Sequence, residues 1–319
     1  MRDGMYFLRR LIFAIPLVLL FSAMIFCLAR ISPGGPFDRE RAPASPEIER
    51  NIEAVYHLDE PIWKQYLRYF GLVWEKGSDG HWHHAEASFN VSLKYRGQTI
   101  TSIVSEALPV SMTLGGLAFC FAMAVGLPVG FFTAARRGRW EDYVGNFFAI
   151  LTVCIPAFVV APVLILIFSI KLKLLPIALW NSPASAVLPM TALGLFYAGK
   201  IARIFREGMM SAMQSEFVTA ARAKGMGETR LLIKHALRIA ILPVVSYSGP
   251  MLADLLTGSF VVENIFQIPG MGPFFINSVL NSDYTMMVDL ALLYAFLLIA
   301  LNLLVDFSYT LLDPRVKYE

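Results

Sequence analysis

Long apolar runs alternate with short polar segments along most of this chain of 319 residues. A run of about 18 or more apolar residues is long enough to cross a bilayer as a helix. We predict six such spans, at about 11–29, 108–135, 144–170, 186–203, 240–262 and 286–310. Neighbouring helices can satisfy the backbone groups that a proline frees, so we expect kinks rather than breaks at Pro128, Pro156, Pro162, Pro243 and Pro250. The pattern predicts an all-α integral membrane protein.

The composition supports this fold class, because 56% of the residues are hydrophobic and only 16% are charged. The net charge of +3 is too small to indicate nucleic-acid binding. The three cysteines all lie inside apolar runs, so we interpret them as packing residues rather than disulfides or metal ligands: Cys27, Cys120 and Cys154.

The first apolar run follows Arg9 and Arg10 and is longer than the apolar part of a signal peptide. We expect a retained anchor with both chain termini in the cytoplasm. This topology predicts a cytoplasmic tip and first span over 1–30, an external region with interfacial helices over 31–98, a transmembrane core over 99–314 and a tail over 315–319. The core would contain a cytoplasmic loop at 204–239.

Basic residues cluster where this topology places cytoplasmic loops, as the positive-inside rule requires. Lys171 and Lys173 are exceptions in a predicted external loop, and the predicted external loop 263–285 has no Lys or Arg. The clusters are Arg136, Arg137 and Arg139, then Arg203, Arg206, Arg222, Lys224, Arg230, Lys234 and Arg238, and finally Arg315 and Lys317.

The cytoplasmic segment is predicted to form two short helices that meet at Gly225. In the first, Phe217, Ala220, Ala221 and Lys224 have the spacing of one helix face, and Gly225 is well placed to end it. The second would begin near Glu228 and continue into the fifth span, with Leu232, His235, Ala236 and Ile239 on one stripe. The residues alone leave two interpretations: a basic hairpin that only sets topology, or a docking surface for another protein.

The stretch EFVTAARAKGMGETRLLIKHALRIAILP, at 216–243, resembles the loop of ABC importer permeases whose pattern is Glu-Ala-Ala, three residues, Gly, nine residues, Ile-x-Leu-Pro. Here Thr219 replaces the Glu, His235 stands at the Ile position and Arg238 replaces the final Pro. FLRRLIFAIP, ISPGGPF, NIEAVYHLDEPIWKQYL, PVSMTLG, CIPAFVVAPVL and FQIPGMG also resemble B-type permease subunits of oligopeptide importers. NIEAVYHLDEP favours the oligopeptide branch over the dipeptide and nickel branches.

The resemblance implies a type I ABC transmembrane domain in the bacterial cytoplasmic (inner) membrane, surrounded by lipid. Such a chain forms half of a peptide pathway with a second homologous permease, while two ATPase subunits bind its loop and an external peptide-binding protein delivers the substrate. It needs no cofactor or metal and catalyses no reaction itself. The residues implied in ATPase docking are Glu216, Phe217, Thr219, Ala220, Ala221, Arg222, Lys224, Gly225, Met226 and His235.

Two motifs suggest chemistry that we do not assign to this chain. GLFYAGKI, at 194–201, nearly matches a phosphate-binding loop, but Ile201 replaces the required hydroxyl and the stretch lies in an apolar span. HWHHAE, with His81, His83, His84 and Glu86, could bind a transition metal. We expect these histidines to be solvated instead.

Asp254 lies near the middle of the fifth span, where an ionisable side chain usually faces a cavity or a partner. It could line the translocation path and meet a peptide amino terminus, or it could bond to a neighbouring helix. Asp289 and Asp306 lie nearer span ends and are expected at the membrane interface. A secondary transporter would need more central carboxylates and usually a repeat. An intramembrane enzyme would need motifs that the chain lacks, such as HExxH, GxSxG or paired mid-span aspartates.

Overall fold

The computed structural model describes residues 2–31, 57, 59–76, 81–84, 87, 90–92, 94–95 and 97–312. Its helices, numbered along the chain, are α1 (Arg2–Ile31), α2 (Ile62–Tyr69), α3 (Ile100–Ala135), α4 (Trp140–Cys154), α5 (Ala157–Leu164), α6 (Val187–Met213), α7 (Glu216–Ala223), α8 (Glu228–Leu231), α9 (Leu237–Thr257), α10 (Phe260–Ile265), α11 (Met271–Leu280) and α12 (Tyr284–Leu312). Strands β1 (Trp74–Lys76) and β2 (Trp82–His84) pair antiparallel. Of the expected interfacial helices, α2 is present, whereas residues 51–56 lie outside the described part.

Within the described residues, four helical segments are long and apolar enough to cross a membrane: Ile100–Ala135, Pro183–Met213, Glu228–Thr257 and Tyr284–Val305. Trp140–Cys154 and Ala157–Lys171 pass the same test only when they are counted together. The apolar stretch Ile15–Leu28 of α1 is shorter. The helical membrane fold predicted from the apolar runs is confirmed.

The expectation of a kink rather than a break at Pro156 is wrong, because two helical segments, Trp140–Cys154 and Ala157–Lys171, meet there at a bend of 106°. Ile155 and Pro156 between them are both extended, with ψ of 118° and 145°. A proline ring disfavours the helical conformation of the residue before it, which explains the break. The other four prolines at which a kink was expected lie inside helices: Pro128, Pro162, Pro243 and Pro250.

The span predicted over 240–262 ends earlier, at Thr257. Gly258 follows with φ of +91°, a left-handed value that a helix cannot continue through, and the short helix α10 begins afresh at Phe260. The span predicted over 186–203 is longer than expected, because α6 continues to Met213.

The chain divides into two compact units. The first contains the described residues up to Ala107 together with Phe274–Ile299. Its buried cluster joins Phe26 of α1, Tyr69 of α2 and Val288 of α12. Phe26 lies edge-on to Tyr66, with ring centroids 5.4 Å apart. Aromatic packing of this kind holds α2 against the first helix.

The second unit contains Leu108–Pro273 and the described residues from Ala300 onward. Helix α6 is central to it and packs against α3, α4 and α9. A Cβ at Gly126 or Gly130 of α3 would lie within 2.7 Å of a carbonyl oxygen of α6. Small residues spaced by four allow this close approach, as in many membrane helix pairs.

Candidate functional site

The segment expected to dock another protein, residues 216–239, contains two short helices that meet at Gly225. Helix α7 ends with a Schellman arrangement, in which the Gly225 N–H donates to Arg222 O at 2.9 Å and the Met226 N–H to Ala221 O at 3.3 Å. Gly225 has φ of +80°, the left-handed conformation that this motif requires. The predicted helix end at Gly225 is therefore confirmed.

The second helix begins at Glu228, as predicted, after the extended residue Gly227. A π-helical turn, Leu232–Ala236, joins α8 to α9, so the helix runs without interruption from Glu228 to Thr257. Any displacement of the docking segment would therefore act directly on a membrane-spanning helix.

The docking segment has one buried side and one open side. Val218 and Leu231 are fully buried, whereas Phe217 is 42% exposed. The other predicted docking residues lie on or near the open side: Glu216, Thr219, Ala220, Arg222, Lys224 and Gly225 are exposed, and Ala221, Met226 and His235 are half-buried.

The stripe predicted for the second helix is partly wrong. Leu231, Ala236 and Ala240 are buried, whereas Ile239 is exposed. The π-helical turn contains more residues per turn than an α-helix, and it shifts the buried face away from the 3.6-residue period.

An ion pair joins the two short helices across Gly225. The Arg222 guanidinium donates from Nε to Glu228 Oε1 at 2.6 Å and from Nη2 to Oε2 at 3.2 Å. Both side chains are exposed, so the pair contributes little to stability. His235 lies near Phe217, with ring centroids 6.4 Å apart, and its Nε2 is buried without a hydrogen-bond partner among the described residues.

A second candidate site surrounds Asp254. A cavity of about 450 Å³ lies between α6, α9 and the start of α10, and its lining includes Pro156, Leu193, Phe196, Tyr197, Asp254 and Phe260. The Tyr197 hydroxyl donates to Asp254 Oδ2. Asp254 thus bonds to a neighbouring helix, which is one of the two alternatives that the sequence left open, and it also faces a cavity. Its place in a translocation path stays a prediction.

Lys200, which sequence reasoning did not single out, lies on α6 one turn from Tyr197. Its Nζ is 4.9 Å from the centroid of the Tyr247 ring and 5.7 Å from that of Phe196. Within the described residues no carboxylate lies within ion-pair distance of it. The sequence feature that could have indicated Lys200 is the presence of a lysine in an otherwise apolar span.

Glu263 is a second residue that the sequence analysis missed. It is fully buried, and its Oε2 accepts hydrogen bonds from the Gly272 N–H at 2.8 Å and from Ser111 Oγ at 3.0 Å. Ser111 Oγ in turn accepts the Met271 N–H at 2.9 Å. Burial raises the pKa of the Glu263 carboxyl, although these hydrogen bonds partly oppose the shift. The sequence feature that could have indicated Glu263 is an acidic residue in a glycine-rich stretch without Lys or Arg.

Asp289 was expected at the membrane interface, and this depth in the membrane stays a prediction. The side chain is buried, and it accepts hydrogen bonds from the Tyr69 hydroxyl and from the Asn90 N–H, the latter at 2.7 Å. Asp283 is also buried and accepts the Met286 N–H at 3.2 Å at the start of α12. Both aspartates anchor the preceding polar region to α12. The side chain of Asp306 lies outside the described part.

The two motifs to which we assign no chemistry are GLFYAGKI and HWHHAE. Gly194–Ile201 lies wholly within α6 and forms no phosphate-binding loop, as expected. In HWHHAE, His84 stacks on Trp74 with centroids 4.0 Å apart, and its Nδ1 is 3.1 Å from Gly71 O. Glu86 lies outside the described residues.

The cluster His57, Glu60 and Glu75 has potential metal ligands within 4.8 Å of one another. Arg68 donates to Glu60 Oε1 at 2.8 Å and also contacts Glu75, so a cation already occupies the position between the carboxylates. We interpret this cluster as an ion-pair network rather than a metal site.

Known proteins are similar to this chain over the part that contains both candidate sites. A family model described as "Binding-protein-dependent transport system inner membrane component" matches residues 126–318, which include the docking segment and Asp254. The chain belongs to this family of inner membrane components. Its relatives include the Oligopeptide transport system permease protein OppB of Haemophilus influenzae, which is 40% identical over 98% of this chain and 99% of the relative. The resemblance inferred from the motifs is confirmed.

Other members of the family of inner membrane components are similar over nearly the whole chain. OppB of Salmonella typhimurium is 40% identical over 98% of this chain and 99% of its own length. The Dipeptide transport system permease protein DppB of Bacillus subtilis is 37% identical over 94% of each chain. Both branches of relatives are thus similar in length to this chain.

Solved structures share the fold at lower sequence identity. A chain of the MetNI methionine ABC transporter aligns with a TM-score of 0.54 at 17% identity, covering 69% of this chain and 98% of that one. A chain of an amino acid ABC transporter aligns with a TM-score of 0.51 at 20% identity, covering 68% and 95%. The helical core therefore shares the fold of these two transporter chains.

Proposed function

We propose that this chain is a permease subunit of an ABC importer and forms half of the pathway for oligopeptide uptake. Near-complete alignment to oligopeptide permeases supports the substrate class. The alternative within the same family is a dipeptide or nickel importer. The dipeptide permease that is 37% identical to this chain supports the dipeptide alternative. The chain would cross the membrane six times with both termini in the cytoplasm, α1 and the α4–α5 pair each providing one crossing.

The observation that carries the proposal is the docking segment itself. Its open side presents Phe217, Ala220 and Lys224, while its second helix continues into the span that bears Asp254. Two ATPase subunits would bind this segment and its counterpart on a second homologous permease, and an external peptide-binding protein would deliver the substrate. The chain itself hydrolyses no ATP. ATP-driven closure would push on Glu228–Thr257 and switch the pathway between two states.

The test is native purification of the chain in mild detergent, followed by identification of the proteins that remain bound. We expect a second permease and ATPase subunits, and we expect Gly225→Trp to lose the ATPases while keeping the second permease. Gly97→Trp is the matched control, because Gly97 also has a positive φ, +84°, and no atom of the described residues lies within 4 Å of a Cβ at either glycine. Recovery of a lone chain that transports without ATP would instead indicate a secondary transporter, with Asp254 as its coupling residue.

A further inference from the structure

Helices α6 and α9 lie antiparallel and carry charged and aromatic residues along their shared side. A Cβ at Gly208 would lie 2.9 Å from Ala240 O, which marks one end of the pair. Lys200 contacts Tyr247 nearer the middle, and Tyr197 contacts Asp254 near the end of α9. These four residues, Asp254, Tyr197, Tyr247 and Lys200, are called the bipolar array below.

The two charges of the array are opposite in sign but do not neutralise each other. Asp254 Oδ2 accepts from Tyr197, and Oδ1 has no hydrogen bond among the described residues. Lys200 contacts aromatic rings and, within the described part of the chain, no acid. Ionisable side chains inside membrane spans usually face a cavity and bind something there.

The spacing of the array along its two helices indicates what could bind. Tyr247, which contacts Lys200, precedes Asp254 by seven residues on α9, a backbone rise of about 10 Å, whereas Lys200 follows Tyr197 by three residues on α6, a rise of about 4.5 Å. An extended peptide spans about 3.3–3.6 Å per residue, so a peptide of about two to four residues covers lengths of this order. A free peptide carries an ammonium group at one end and a carboxylate at the other, the complement of this array.

We propose that the bipolar array recognises both termini of a short peptide, Asp254 receiving the ammonium group and Lys200 the carboxylate. The aromatic rings between them contact the peptide without selecting its side chains. Since Tyr247 lies nearer than Asp254 to the docking segment, the peptide passes with its carboxylate toward that segment. This inference rests on the proposed function, because it assumes that the chain conducts peptides.

The experiment measures ATP-dependent uptake by the complete transporter, reconstituted in proteoliposomes with its co-purified subunits and peptide-binding protein. The probes are three forms of one radiolabelled tetrapeptide: free, C-terminally amidated and N-acetylated. Each uptake rate of a variant is divided by the wild-type rate for the same peptide, which removes any preference imposed by another subunit.

We expect Lys200→Met to lower uptake of the free and N-acetylated peptides about fivefold, while the amidated peptide is unaffected. Asp254→Asn should lower uptake of the free and amidated peptides and spare the N-acetylated one. Lys200→Arg should retain uptake, and Lys171→Met, at an exposed lysine outside the array, should behave as wild type for all three.

Three outcomes would overturn the inference. Equal loss for all three peptides would show that the residues support folding or coupling, and unchanged uptake would show that they do not contact substrate. A reversed pattern, with Lys200→Met sparing the N-acetylated peptide, would overturn the assigned orientation. A wild-type transporter that takes up none of the peptides would instead refute the proposed function, on which the array depends.

Discussion

Arg206 on α6 holds Asp142 on α4 through two hydrogen bonds, from Nε to Oδ1 at 2.7 Å and from Nη2 to Oδ2 at 2.9 Å. Asp142 is buried, and its Oδ2 also accepts the N–H of Gly138 at 3.0 Å. The aspartate therefore fastens the turn between α3 and α4 to the helix that leads into the docking segment.

We expect Asp142→Asn to destabilise the protein by about 3 kcal/mol, because it leaves the Arg206 charge without its partner in a largely buried position. Arg136→Gln is the control: it removes the exposed Arg136–Glu141 pair, 2.8 Å long, and should change stability by less than about 1 kcal/mol. Thermal unfolding in detergent compares the two variants with wild type. Equal midpoints for both would contradict the structural role of Asp142.

The carboxylate of Glu263 leaves no room for a side chain at Gly270. A Cβ there would lie 2.3 Å from Glu263 Oε2 and 2.6 Å from Ser111 Oγ. We expect Gly270→Ala to destabilise the protein by about 1–3 kcal/mol through this overlap.

Gly116→Ala is the matched control for Gly270→Ala, because nothing in the part of the chain that the structure describes lies within 4 Å of a Cβ at that position in α3. It should leave the protein unchanged or stabilise it by up to about 1 kcal/mol, since alanine favours a helix. Unfolding midpoints in detergent check both variants, and similar midpoints for the two would contradict the close packing around Glu263.

Glu263 should also make stability depend on pH. Burial raises its pKa in the folded protein above the ordinary value, so the folded state holds the proton more tightly than the unfolded state. This contribution is present in full below the ordinary pKa and is lost as pH rises through the folded-state value.

Glu263→Gln supplies the measurement, because glutamine keeps the shape but does not titrate. We expect the stability of wild type relative to the glutamine variant to fall as pH is raised from about 5 to about 8. All other titrating groups are common to both proteins and cancel. A difference in midpoint that is constant over this range would mean that Glu263 does not change protonation.

The sequence predicted the helices well because apolar run length and glycine position determine them locally. The docking helices begin and end where Gly225 and Glu228 indicated. The break at Pro156 was missed because proline inside an apolar run permits either a kink or a break, and the packing of α4 and α5 decides between them.

The candidate sites were predicted less completely, since a site depends on residues that are distant in sequence. Asp254 stood out alone, whereas its contact with Tyr197 is 57 positions away. Ser111 and Glu263 are 152 positions apart, and neither helical periodicity nor a motif brings them together. The stripe predicted for the second helix of the docking segment failed for a different reason, because the π-helical turn changes the period on which the prediction relied.

The two sides of the docking segment should respond differently to truncation. Leu231 is fully buried, so Leu231→Ala should destabilise the protein by about 2–5 kcal/mol through lost burial and the cavity left behind. Phe217→Ala removes an exposed ring and should leave the unfolding midpoint nearly unchanged. Under the proposed function that ring contacts an ATPase, so Phe217→Ala should reduce the ATPase recovered with the chain.

Unfolding midpoint and recovered ATPase are measured on the same preparations. A variant at Phe217 that keeps its ATPase, or that unfolds as easily as Leu231→Ala, would show that the open side is not a docking surface.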